Sequence, residues 1–233
     1  MPLQDHFQPP LSARRHWNAF HNSWATYLSS QVNALLPPGY FAEANVQFGI
    51  EIDVATWEES PPTTSPAAGW TPGPAALTVP LPLLTDIVEV QVFDSSEGLR
   101  LAGAVELVSP ANEDRPAHGT AFVSKCAAYL QQGVGLIVVD VVTGRRANLH
   151  DELLTRLQSP PASATVGELY GAAYHPVRHG EEPSLDIWLE PLGIGQLLPT
   201  LPLWVRGGPC LRVDLEAAYE RTCQEQRVPR NGP

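Results

Sequence analysis

The sequence predicts an α/β fold in one domain covering residues 1–233, and three observations predict it. A helical apolar stripe opens the chain, a stretch of strict alternation follows it, and a strand, a helix and a second strand succeed one another between Leu99 and Val142. No repeat is evident, and nothing resembles a linker between two units that could each fold alone.

The opening stripe is Trp17, Phe20, Trp24, Leu28, Val32 and Leu35, spaced by three and four, which predicts an amphipathic helix over Arg14 to Leu36. Ser12 is the expected cap and Pro37-Pro38-Gly39 the stop. Its histidines, His16 and His21, and the two flanking arginines could face a ligand, but the wide aromatic stripe favours core packing. From Tyr40 the period changes to two: Tyr40, Ala42, Ala44, Val46, Phe48, Ile50, Ile52 and Val54 share one face, and Glu43, Asn45, Gln47, Glu51 and Asp53 the other. Two strands broken near Gly49, or one bent strand, satisfy the pattern.

Between Ser60 and Pro82 seven prolines fall among Ser, Thr, Gly and Ala, which predicts a long surface loop with little regular structure. Ile87 to Phe93 and Leu99 to Val108 read as a hairpin joined by Asp94 to Gly98. Pro116 suits a first helical turn, with Asp114 or Asn112 as its cap and Gly133 as its stop. The run LIVVDVV, Leu136 to Val142, predicts a strand covered on both faces, so the segment forms a βαβ unit. A short helix at His150 to Leu157, strands near Leu169 to Val177, Leu185 to Glu190 and Leu203 to Val205, and a helix from Asp214 to Gln226 complete the reading.

Composition narrows the function. A formal charge of −11 opposes general affinity for nucleic acid, so a nucleic-acid partner requires a local patch of arginines such as Arg100, Arg115, Arg145 and Arg146. No run is apolar enough to predict a membrane span, and the N-terminus lacks a basic-then-apolar layout. Three cysteines, Cys126, Cys210 and Cys223, without metal-ligand spacing suit a reducing compartment, and the expected location is the cytoplasm.

Thirteen of the fourteen basic residues are arginine, and the one lysine, Lys125, lies downstream of Glu106, a charge set in the apolar run AVELV. A carboxylate there is costly unless paired. Asp53, Glu106 and Lys125 stand on three elements that can converge. Two carboxylates aimed at one point hold a hard cation such as Mg²⁺, and a nearby ammonium steadies a water or the charge growing on a phosphoryl oxygen. On the helix, Phe122, Cys126, Tyr129 and Leu130 define the buried stripe and Lys125 lies at its edge. Glu89 is the alternative acid. Asp140 is read as the cap of the turn before Gly144. His175 and His179 make a weak zinc pair, because Pro176 opposes a helix between them.

The order EIDVA, AVELVSPAN, KCAAY and GVGLIVVD resembles the PD-(D/E)XK nuclease-like superfamily. More closely, the chain resembles an uncharacterised bacterial family of that type, through WNAFH at Trp17 to His21, SPAN at Ser109 to Asn112 and LPTLP at Leu198 to Pro202. The resemblance implies a restriction-endonuclease-like mixed sheet flanked by helices and a magnesium site on Asp53 and Glu106. The superfamily's lysine two residues after the glutamate is Val108 here, and Lys125 on the following helix takes its role. Where the bacterial family has a basic residue after SPAN, this chain has Glu113. Two functions follow as expectations: a Mg²⁺-dependent phosphodiesterase of nuclease type, or a catalytically silent module that keeps the fold and binds a protein or small ligand.

Overall fold

A computed structural model describes residues 1–48, 50–58, 69–81, 100–144, 148–159 and 167–229, with residues 45–48, 50–53, 57 and 58 described by their backbone alone. In chain order the elements are α1 (Trp17–Leu35), β1 (Tyr40–Phe48), β2 (Ile50–Glu58), β3 (Leu77–Pro80), β4 (Arg100–Leu107), α2 (Pro110–Asp114), α3 (Pro116–Gln131), β5 (Gly135–Asp140), α4 (Leu149–Arg156), β6 (Tyr170–His179), β7 (Glu182–Pro191), β8 (Thr200–Trp204), β9 (Cys210–Asp214) and α5 (Leu215–Glu225).

Seven described strands form one mixed sheet in the order β1-β2-β4-β5-β6-β7-β3, and β8 and β9 form a separate ribbon. Only β4 and β5 run parallel, because α3 carries the chain from the end of one back to the start of the other. The predicted βαβ unit is therefore the centre of the fold. The alternating stretch is two antiparallel strands, Tyr40 to Phe48 against Ile50 to Glu58, which settles the two readings left open by the sequence.

The two faces of the sheet bury separate cores. On one side α1, α5 and the β8–β9 ribbon bring Trp24, Leu28, Leu203, Val213 and Tyr219 onto Val54, Val105, Ile137 and Val139. On the other, α3 and α4 bring Phe122, Cys126, Leu130, Leu149 and Leu153 onto Ala104, Leu136, Val138 and Tyr174. Fully burying a side chain such as Leu28 or Leu130 stabilises the fold by about 1.5–3 kcal/mol. The ribbon comes so close to β5 that a Cβ on Gly135 would stand 2.0 Å from the Trp204 carbonyl oxygen, so that position must be glycine. The three cysteines are buried, and burial pushes the Cys210 thiol up to about 12.

Several local expectations are corrected. The first helix starts at Trp17 with His16 at its N-cap and no side-chain cap; Ser12 lies in the preceding turn, its N–H donating to the Gln8 carbonyl. Within the proline-rich segment, Leu77–Pro80 forms an edge strand on β7, a position that tolerates Pro80 because one side of an edge strand needs no ladder donor. Neither Asp114 nor Asn112 caps the crossover helix. Residues 110–114 instead make a separate short helix, and α3 begins after Arg115. The ribbon strand β9 and its pairing with β8 are absent from the sequence reading. Ile87 to Phe93, the proposed hairpin partner, lies outside the described residues, as does Glu89.

Candidate functional site

The crossover brings the lone lysine to the strand-borne glutamate. Glu106 points to the same side of β4 as Ala104 and Val108, the side that α3 covers, and Lys125 reaches it from that helix. Lys125 Nζ lies 2.8 Å from Glu106 Oε2, with the residues 6% and 1% exposed. Lys125 is thus a buried residue and not one at the rim of the stripe. Its ammonium also sits 5.3 Å from the centre of the Phe122 ring, one turn earlier on α3, where the ring face adds attraction. Phe122 and Lys125 both border a cleft of about 310 Å³.

The other walls come from α1 and α2. Asn18, His21 and Asn22 line the cleft together because their spacing of three and four puts them on one flank of α1. His21 Nε2 donates to the Leu107 carbonyl at 3.1 Å, tying α1 to the strand that carries Glu106. On the opposite wall, Asn112 Oδ1 accepts from both the N–H and the hydroxyl of Ser109, at 2.9 and 2.8 Å. This reciprocal cap gives α2 its shape, and leaves the Asn112 amide nitrogen as the remaining donor of that side chain. The next helix must pass close beneath: a Cβ on Gly119 would lie 2.8 Å from the Asn112 carbonyl oxygen.

Asp53 belongs to β2 and directly precedes Val54, which pairs with Val105, the neighbour of Glu106. The backbone therefore brings positions 53 and 106 to the same end of the β2–β4 ladder. The Asp53 side chain lies outside the described residues. Among the described residues no group of three or more His, Cys, Asp or Glu could hold a metal ion. The described part of the site still fits a magnesium ion in its donor chemistry, since such an ion needs only one or two carboxylates and otherwise keeps water or takes phosphate oxygens. Glu106 is the carboxylate among the described side chains there.

The arginine patch is not among these residues. Arg100 and Arg115 are exposed and neither lines the cleft, while Arg145 and Arg146 lie outside the described residues. His175 and His179 stand on β6 and not on a helix; His175 stacks on Trp204 with ring centres 4.2 Å apart, and His179 Nε2 meets Asp186 Oδ1 at 2.9 Å. Burial lowers the basicity of His175, in keeping with a packed ring. Asp140 does cap its turn, Oδ1 accepting the Val142 N–H at 3.1 Å. Burial raises its carboxyl to about 6, offset in part by that bond and by a hydrogen bond with the Glu113 carboxyl.

Sequence reasoning missed the α1 wall. The signal was present in Asn18, His21 and Asn22, polar at helical spacing beside the aromatic stripe. No family model, curated protein or solved structure matches the chain. The chain has a mixed α/β architecture, and among the described residues no helix is long and apolar enough to cross a membrane.

Proposed function

We propose that this cleft is a Mg²⁺-dependent phosphodiester-hydrolysing site of nuclease type, on a restriction-endonuclease-like core. The observation that carries the reading is the Lys125–Glu106 pair at 2.8 Å, buried under a cleft walled by neutral hydrogen-bonding groups. A buried ion pair is often no more stabilising than an apolar pair of the same size, so stability gives weak reason to build one here.

In this reading Glu106 and Asp53 hold the ion, which when bound supplies Lewis acidity and an activated water. Lys125 would present its ammonium to the phosphoryl oxygens and stabilise the charge that grows there. Asn18, Asn22 and Asn112 offer amide donors for the non-bridging oxygens or the sugar. His21, held by the Leu107 carbonyl, fixes the α1 wall against the strand bearing Glu106. Phe122 closes the floor with an apolar surface that keeps bulk water from the pair.

A second reading, the silent module that binds a small ligand or protein, is favoured by one feature. The ammonium of the cleft is already engaged by a carboxylate, and its described lining contains no arginine to gather phosphates. Cleavage assays on single- and double-stranded DNA and RNA across a Mg²⁺ titration separate the two. Metal-dependent cleavage that disappears in both Glu106→Gln and Lys125→Met supports the phosphodiesterase. Folded protein without cleavage on any of these substrates rejects it in favour of the silent module.

A further inference from the structure

The floor and the walls of the cleft differ in chemistry. On the floor, Lys125 is the one lysine or arginine of the described lining, and Glu106 holds its ammonium at 2.8 Å. The walls carry amides, a hydroxyl and an imidazole: Asn18, His21 and Asn22 on α1, Ser109 and Asn112 on α2.

Several described arginines are engaged elsewhere. The guanidinium groups of Arg15, Arg178 and Arg206 donate to the carbonyls of Arg227, Glu181 and Gln132, and that of Arg221 lies over the Tyr27 ring, 4.4 Å from its centre. None of these four lines the cleft.

We propose that the substrate of this cleft is a small phosphodiester of dinucleotide size, with its phosphate at the Lys125–Glu106 pair and a nucleoside against the α1 and α2 walls, and not a nucleic-acid polymer. The inference rests on the phosphodiesterase reading above and narrows it to one substrate class.

Charge is the first argument. In that reading Glu106 and Asp53 balance the bound Mg²⁺, so the Lys125 ammonium is the positive charge left in excess, and it matches the single negative charge of one phosphodiester. A polymer brings further phosphates on either side, and holding them takes Lys or Arg side chains that release counterions. The chain as a whole carries a formal charge of −11, which repels a polyanion. Size is the second argument. A cleft of about 310 Å³ stands at the lower end of the roughly 300–1,000 Å³ usual for small-ligand sites. The third argument is the chemistry of the walls. Asn18 and Asn22 are exposed and lie one turn apart on α1, and Asn112, whose oxygen is taken by Ser109, has its amide nitrogen left as a donor. Such amides pair with the edge of a base or with sugar hydroxyls, and neither needs a charge.

The test compares a deoxyadenosine dinucleotide with a long single-stranded oligonucleotide of the same base. With Mg²⁺, kcat/KM per phosphodiester should be about tenfold or more higher for the dinucleotide, and should change less than about threefold between about 50 and 200 mM salt. Binding followed by calorimetry in Ca²⁺ should keep the same order. Asn18→Ala and Asn22→Ala, both on an exposed helix flank, should each weaken dinucleotide binding about twofold to tenfold, as loss of one hydrogen bond does. Faster cleavage of the oligonucleotide per bond, or a steep loss with salt, overturns the size limit; the phosphodiesterase reading then stands, provided Glu106→Gln abolishes cleavage. A dinucleotide that binds and stays intact overturns the phosphodiesterase reading, and with it the dinucleotide as substrate. Binding of neither ligand overturns both. Wild-type binding in both asparagine variants overturns the placement of the nucleoside against α1.

Discussion

Glu106 and Asp140 stand on neighbouring parallel strands and point to the same face of the sheet, the face covered by α3, yet they are neutralised in different ways. Glu106 meets a lysine ammonium. Asp140 meets another carboxyl. A carboxylate taken out of water is costly unless it is paired or protonated, and burial raises the Asp140 carboxyl to about 6. In the proposed function the Lys125 ammonium is the group that faces the phosphate. A proton leaves as the pH rises. The first arrangement is the one on which the proposed function rests.

The largest effect that could break this comparison belongs to Lys125→Met. Removing one partner of a buried pair leaves the other charge uncompensated, so the variant should lose about 3–5 kcal/mol in urea denaturation at neutral pH. Acid that protonates Glu106 should shrink the deficit, and so should Mg²⁺. A loss below about 0.5 kcal/mol, equal at both pH values, would make Lys125 a surface residue in energetic terms.

Asp140 gives the next effect, with the opposite trend to an ordinary salt-bridged acid. Its folded carboxyl is raised from 3.8 to about 6, so the folded protein holds the proton more tightly than the unfolded chain does. The stabilisation is complete below about pH 4 and is lost as the pH rises through about 6, on the order of 1–3 kcal/mol in all. Asp140→Asn should flatten that dependence in denaturation midpoints measured across the interval. A wild-type curve already flat there would contradict the assignment.

His21→Ala should cost about 1 kcal/mol through loss of its bond to the Leu107 carbonyl, and should weaken the cleft's response to metal more than it lowers the melting temperature. Trp70→Ala should have the smallest effect, within about 1 kcal/mol, because the residue is 37% exposed and its bond to β9 runs from its backbone N–H to the Cys210 carbonyl, which the substitution keeps. A larger loss would show that the proline-rich segment anchors a core, against the sequence reading of it as surface.

The centre of the fold was legible because each of its signals is local. The apolar run LIVVDVV, the proline at the first turn of α3 and Gly133 after its last turn, at φ 76°, all agree with their neighbours. The short helix α2 was not legible, since PANED carries no apolar period and its shape depends on the side chains of Ser109 and Asn112 bonding to each other. Strand β9 and its pairing with β8 escaped for a related reason. The two strands are five residues each, and CLRVD resembles a strand only once it is paired with TLPLW.

The site divides along the same line. Glu106 and Lys125 stood out by composition, one a charge in an apolar run and the other a single lysine among arginines. His21 did not, because what matters about it is a partner far away in sequence, the Leu107 carbonyl. Glu113 departs from the basic residue of the resembled family.

The most direct test of the cleft as a metal-dependent site is a Mg²⁺ titration followed by backbone amide resonances. The account predicts saturable shifts centred on residues 53–54, 106–107 and 125, with residues 140–142 unmoved, and loss of the response in Glu106→Gln. A response that is absent, that never saturates, or that persists unchanged in Glu106→Gln would contradict it.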